Sequence, residues 1–179
     1  MIYRTEPVTM WFDRRIVLRK SPIQGIGTFA TEEILAGESL IWVSGGVVFS
    51  AEDWQSGIVQ VEPDLYNQEK LAENLYLVTP KVFQYYINHC CDPNAVDISR
   101  SPTATHYVAW RDIQAHEEIT TDYGLYGEAT IAVCGCQSPF CRGQISPDDW
   151  RLTELQQRYQ GNFPPRMEKR IQELNHPEN

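Results

Sequence analysis

Residues 84–96, QYYINHCCDPNAV, set two tyrosines before an Asn-His pair, two adjacent cysteines and an Asp-Pro-Asn turn. These residue types can hold a metal, arm a thiol nucleophile, cradle a cofactor or only close a tight loop, and the loop alone does not choose among them. The other cysteines narrow the choice. Of five in the chain, three (Cys134, Cys136 and Cys141) form a C-x-C-x4-C cluster in CGCQSPFC. In a reducing compartment such close spacing reads as metal binding rather than disulfides. Three thiolates leave a tetrahedral zinc one ligand short, and the loop offers the fourth as Cys90 or Cys91.

Something must bring these segments together. A chain of 179 residues, 42% hydrophobic and 11% aromatic, fits one domain with a real core and excludes wholesale disorder. Its longest apolar runs, residues 40–43 and 45–49, are far too short to span a membrane. The start has acidic residues and no apolar signal core, so a cytoplasmic location is expected. The net charge of −9 argues against binding the phosphate backbone of nucleic acid and suits a basic peptide partner.

Residues 14–49 read as short strands punctuated by Gly25, Gly27, Gly37 and Gly45-Gly46. SAED suits a short helix capped by Ser50, with Asp53 three residues on; IVQVEPDLY then reads as extended, and ATHYVAWRDI and EEITTDYG as strands. ILAGESL (34–40) and IQAHEEI (113–119) share a weak echo, each a turn feeding a strand. Near the end, Leu152, Leu155 and Tyr159, then Met167, Ile171 and Leu174, make two helical stripes, the second after Pro164-Pro165.

Four segments line up in order: SPIQGIGTFATEEILAGESL, YINHCCDPN, AWRDIQAHEEITTDYG and CGCQSPFCRG. Together they closely resemble the SET-domain protein-lysine methyltransferases with a zinc-binding post-SET segment. The resemblance spans roughly residues 15–145. It implies a mainly β fold, a β-clip of small twisted sheets in which the Asn-His segment is tucked under the chain leading to Asp122-Tyr123-Gly124 as a pseudoknot. The implied division is an N-terminal extension (1–13), a SET domain (14–124), a post-SET zinc segment (125–147) and a helical tail (148–179).

The chemistry such a site must do can be argued separately. Lysine has an unperturbed pKa of about 10.4, so on the order of one molecule in a thousand carries a free lone pair at neutral pH. Burial and a neighbouring sulfonium both disfavour the ammonium, and a narrow aromatic channel aligns nucleophile and methyl group. The resemblance implies Tyr123 as the catalytic tyrosine and S-adenosylmethionine as cofactor. It implies Asn88 at the cofactor's amino-acid end, the His89 backbone at its adenine edge, and close backbone approach at Gly25, Ile26 and Gly27. Tyr76, Tyr85 and Tyr86 are channel candidates that could equally be core. Structural zinc would be held by Cys91, Cys134, Cys136 and Cys141, because Cys90 takes the family's usual serine position. The partner implied is a basic protein or peptide presenting a lysine; a non-catalytic peptide-binding SET module is the alternative.

Three features depart from the pattern or stand outside it. Thr121 occupies a position, two before the catalytic tyrosine, where the family commonly has Phe or Tyr. The missing ring should widen the channel and favour dimethyl- or trimethyl-lysine, unless Tyr85, Tyr86 or Trp150 fills the space. Tyr85 stands where many relatives have arginine. His116 takes a turn-glycine position, which implies a strained or rearranged turn, and with His106 and His176 it reads as a surface or loop residue.

Overall fold

The structure, a computed structural model, describes residues 2–175. The chain opens with strands β1 (Ile2–Phe12), β2 (Ile16–Lys20), β3 (Ile26–Ala30) and β4 (Ser39–Ser50), then helix α1 (Ala51–Gln55). After it come β5 (Tyr66–Ala72), β6 (Leu75–Pro80), a 3-10 turn (Phe83–Tyr86), β7 (Asn88–His89), β8 (Ala95–Asp97), β9 (Ala104–Ala109) and β10 (Glu118–Thr121). Helices α2 (Thr153–Arg158) and α3 (Pro165–Asn175) close the described chain. His176 lies outside the described residues.

Two sheets result. The larger runs β5-β6-β4-β9-β8 with β1 also on β4, and the smaller runs β2-β3-β10-β7. Strand β1, the expected N-terminal extension, pairs along β4 from Ile2↔Phe49 to Phe12↔Ile41. On the other edge of β4, β9 pairs over Ser39–Ser44 and β6 over Val47–Ser50. The change of partner falls on Gly45 and Gly46, at φ 88° and 127°. A Cβ on Gly46 would lie 2.5 Å from the Val78 carbonyl, so only glycine lets the strands close here.

The Ser50 cap is as expected: its side chain accepts from Asp53 N, and its hydroxyl donates to Asp53 Oδ2 at 2.6 Å. Residues 58–65 are not extended; they are turns and irregular chain leading to β5. Pro63 removes a donor there and favours a bend.

The two echoed heptads are bonded to each other. Ile34 and Ile113 exchange backbone hydrogen bonds of 3.0 and 2.8 Å. In each copy a glutamate four residues after that isoleucine accepts from the backbone N–H next to it: Leu35 N to Glu38 Oε2 at 2.6 Å, Gln114 N to Glu117 Oε2 at 2.9 Å. The third residue after each isoleucine has positive φ, 84° at Gly37 and 70° at His116. His116 thus holds the left-handed conformation that glycine serves at no cost.

Between the sheets lies a core that includes Ile16, Ile34, Leu40, Ile41, Ile87 and Ile119. A second core joins Val96, Val108 and Leu125 to the C-terminal helices through Trp150, Leu155, Tyr159 and Met167. Both predicted helical stripes are therefore used, although Leu152 and Leu174 stay exposed at the helix ends. Among the described residues no helix is long and apolar enough to cross a membrane.

Candidate active site

Strand β7 is only Asn88 and His89, and it runs parallel to β10, with Asn88↔Thr120 and His89↔Thr121. So short a pairing needs support. Cys90 N donates to Thr121 O at 3.0 Å. On β10, the buried Asn94 side chain acts as a further strand, donating to Glu118 O at 2.8 Å and accepting from Thr120 N at 2.9 Å. The Asn-His segment is thereby fixed beside the chain entering Tyr123.

Tyr123 is held at both ends. Its hydroxyl donates to Ile87 O at 2.8 Å, and its backbone N–H donates to His89 Nδ1 at 3.1 Å. Burial pushes the Tyr123 phenol above its usual range, with Tyr85 and Glu118 adding to the effect, so it stays a protonated donor. Burial also holds the His89 ring below its usual range, in the neutral form. With Nδ1 accepting, the ring hydrogen is assigned to Nε2, 3.3 Å from Cys91 Sγ. His89 thus links Tyr123 to the cysteine cluster, and the four-thiol group does not include it.

Asn88 Nδ2 faces Gln24 O at 3.1 Å, Ile26 O at 3.2 Å and Glu118 Oε1 at 2.7 Å. The other Glu118 oxygen accepts from Ser21 Oγ at 2.9 Å, which in turn accepts from Ile23 N. Glu118 was not singled out from the sequence, yet it ties the turn before Ile26 to Asn88. A Cβ on Gly27 would lie 2.1 Å from Glu118 Oε1, so the glycine serves this network. Gly25 has φ 53° and open space around it, and Ile26 is 46% exposed beside it. From the opposite side, a Cβ on Gly135 would come 3.9 Å from Ile23 O. The cysteine-rich segment therefore closes towards the same turn.

A cavity of about 440 Å³ adjoins Tyr123 and is lined in part by Tyr85, Ile87, Tyr107, Tyr126, Glu69 and Asp97. Tyr85 lies on this wall, with the Lys81 ammonium 4.1 Å from its ring centre. Tyr76 and Tyr86 are not on this wall. Tyr76 pairs with Phe49 across the large sheet and its ring stacks there at 5.8 Å. Tyr86 presents an edge to Tyr85 at 5.3 Å. Thr121 is 1% exposed, and the hydroxyl next to it is that of Tyr126, 3.5 Å away. Burial raises both the Glu69 and Asp97 carboxyls above their usual range. His106 is a β9 residue bonded to Ser39 Oγ at 3.0 Å, not a loop residue.

The thiols of Cys91, Cys134, Cys136 and Cys141 all lie within 4.8 Å of one another. Cys91 to Cys134 is 3.9 Å, close to the roughly 3.8 Å edge of a tetrahedron with zinc–sulfur bonds of about 2.3 Å. Cys90 stands outside this group of four and contacts Asp92 N and O. Burial opposes ionisation of Cys136, yet N–H donation from Cys91 and Ser138 brings it down to about 7. Arg142 N and Gly143 N donate to Cys91 Sγ and Cys141 Sγ at 3.4 Å each. Four thiols with such donors fit a structural zinc and leave no open position on it. The segment is cinched at its base by backbone bonds of 2.9 Å between Ile131 and Ile145.

Arg142, immediately after the last of these cysteines, reaches the tyrosine's neighbour. Its two terminal nitrogens donate to Asp122 at 2.8 and 2.6 Å, and its Nε donates to Asp149 at 3.1 Å. The guanidinium passes over Gly124, where a Cβ would meet it at 2.9 Å. Arg158 adds a second tie, donating to Cys91 O at 3.0 Å. Only the Arg directly after the third cysteine could have hinted at this clamp, and nothing in the spacing named its target.

The chain is similar to known proteins. Histone-lysine N-methyltransferase set1 of Dictyostelium discoideum is 32% identical over 149 residues, covering 74% of this chain. Histone-lysine N-methyltransferase TRX1 of rice, Oryza sativa subsp. japonica, is 27% identical over 160 residues, covering 82%. This chain spans only 9% and 15% of the lengths of those two relatives. A solved structure from Plasmodium falciparum, 23% identical, covers 63% of this chain and 95% of its own at a TM-score of 0.44. The SET domain family matches residues 25–124, which carry the glycine turn, the Asn-His segment and Tyr123. The chain belongs to the SET-domain family.

Proposed function

We propose that this chain transfers methyl groups from S-adenosylmethionine to the ε-amino group of lysine in a protein. The observation that carries the reading is Tyr123, whose protonated hydroxyl is fixed on Ile87 O at the wall of a tyrosine-lined cavity. The names of the relatives, histone-lysine methyltransferases, favour a protein-bound lysine.

When bound, S-adenosylmethionine would supply an electrophilic methyl group on a sulfonium, with a neutral thioether as its leaving group. The residues present suit it: the exposed turn at Gly25, Ile26 and Gly27, the Asn88 amide and the backbone at His89 would hold it. The chain's own work is orientation and exclusion of water. Tyr123 and the Ile87 carbonyl direct the amine, Tyr85 narrows the approach, and low polarity favours the uncharged nucleophile. Residues 125–147 would serve as a post-SET segment, with zinc on Cys91, Cys134, Cys136 and Cys141 holding it against the site. The acidic chain suits a basic substrate. Five unpaired thiols suit the reducing cytoplasm.

The test is incubation of the purified chain with heavy-methyl S-adenosylmethionine and a proteome extract, read by mass spectrometry. Heavy methyl groups on lysine support the reading. Cofactor binding without any heavy methyl-lysine would instead favour a SET module that binds peptide without turnover.

A further inference from the structure

Strands β5 and β8 stand at opposite ends of the sheet order β5-β6-β4-β9-β8, yet Glu69 of β5 and Asp97 of β8 line one cavity with Tyr123. The large sheet curls far enough to bring its end strands to the same space. Asp97 Oδ1 accepts from Ser99 N at 2.8 Å and from His106 N at 2.9 Å. Glu69 Oε1 accepts from Asn67 Nδ2 at 3.0 Å. Among the described residues, the second oxygen of each carboxyl has no hydrogen bond, and neither group forms an ion pair. The cations on the wall are paired elsewhere, Arg166 with Glu128 at 3.0 Å and Lys70 with Glu73 at 3.7 Å.

A third acceptor is independent of the two acids. Gln84 lines the same cavity. Its Nε2 donates to Pro80 O at 3.3 Å, and because a carbonyl only accepts, that bond fixes which way the amide faces. Gln84 Oε1 is thereby left buried with no partner among the described residues. The two carboxyls show the same deficit: burial raises both above their usual range, and the charge of Asp97 adds to the effect at Glu69. The cavity thus presents acceptors in surplus and, among the described residues, no unpaired cation to meet them.

The geometry points to a substrate arginine in this cavity: the segment that carries the target lysine also presents a guanidinium, held by Glu69 and Asp97 from the two end strands of the sheet. The inference rests on the proposed methyl transfer and names a feature of its substrate. The target lysine is not the matching cation. Its amine must shed a proton to react, and carboxylates beside it would favour the ammonium. Arginine keeps its charge at any working pH and offers five donors in a planar fork, which suits two carboxylates and an amide oxygen. A volume of about 440 Å³ corresponds to a width of roughly 10 Å, and extended chain advances about 3.3 Å per residue. The arginine therefore belongs within about three residues of the lysine.

The test begins with the lysines that acquire heavy methyl groups in the proteome extract; arginine should stand within about three residues of most of them. One such site is then made as two synthetic peptides, one with arginine and one with citrulline, which keeps the shape and removes the charge. Citrulline should lower kcat/KM about 10- to 100-fold, mainly through KM, the range for a hydrogen-bonded charge. Glu69→Gln and Asp97→Asn should each narrow that difference, and the double variant should bring it below about twofold. Glu154→Gln, which alters an exposed acid on α2, should keep the full difference. A variant that merely folds poorly loses rate on both peptides alike and keeps their ratio. Equal rates on the two peptides with wild type, or an undiminished difference in the double variant, overturns the inference and leaves the proposed activity standing. Loss of the difference in Glu154→Gln also overturns it, since overall acidity would then be the cause. Absence of any heavy methyl-lysine from wild type overturns the activity, and the inference with it.

Discussion

Replacing Arg142 with Met tests whether the cysteine segment is clamped to the chain between β10 and Tyr123 by a buried ion pair. Asp122 is completely buried, and the Arg142 side chain is 13% exposed. The substitution keeps most of the aliphatic volume and removes two bonds to Asp122 and one to Asp149. Stripping one partner from a buried pair costs about 3–5 kcal/mol, mainly because the remaining charge is left uncompensated. Here the low end applies. Asp122 retains the Gly124 N–H at 2.9 Å, and Asp149 retains Ser146 N and Oγ at 3.0 and 2.8 Å. The expected loss is about 3 kcal/mol, read from urea unfolding with metal content measured in parallel. Adding Asp122→Asn removes the stranded charge but keeps an oxygen for Gly124 N, so the double variant should recover much of the loss. A cost below about 1 kcal/mol, the worth of an exposed pair, would refute the clamp, as would a double variant no more stable than Arg142→Met.

Tyr123→Phe should leave the fold intact and lower methyl transfer about 100-fold, as loss of one preorganised donor does elsewhere; unchanged turnover would remove Tyr123 from the chemistry. Elemental analysis should find one zinc per chain, lost in Cys91→Ser and retained in Cys90→Ser, and the reverse result would move the ligand by one residue. Asp97→Asn should stabilise the protein at pH 7–8, because burial raises the Asp97 pKa and its folded-state charge is a cost that sets in as pH rises through that raised value. The Asn oxygen can still accept from Ser99 N and His106 N, and the advantage should vanish below about pH 4, where the carboxyl is protonated in both states. His116→Gly should change stability by no more than about 1 kcal/mol, in the stabilising direction, since relief of the positive φ outweighs the added freedom of the unfolded chain; clear destabilisation would mean that the His116 side chain makes a contact of its own.

What could be read in the sequence was chemistry packed into short spacing. The cysteine cluster, the Asn-His pair, the Asp-Tyr-Gly run after β10 and the Ser50 cap are local signals; the structure gathers four of the cysteines, pairs Asn88-His89 with β10 and caps α1 on Ser50. Strands β2, β4, β9 and β10 were also legible, because alternation and glycine punctuation belong to single segments. Strand β7 was not, since two residues carry no periodicity, and neither was the Asn94 side chain acting as a strand for β10. Glu118, Arg142 and Tyr126 share a different difficulty: each acts on a neighbour that the fold supplies. Thr121 shows the consequence. Judged alone, its small side chain predicts an open channel, because the argument holds the surroundings constant. Volume in a core is filled by whichever segment can reach it, and a short 3-10 turn is enough to swing Tyr126 back against Thr121. A departure from a family pattern at one position is therefore best read together with the aromatic residues within a turn of it in the chain, and in this chain that search begins at Tyr126.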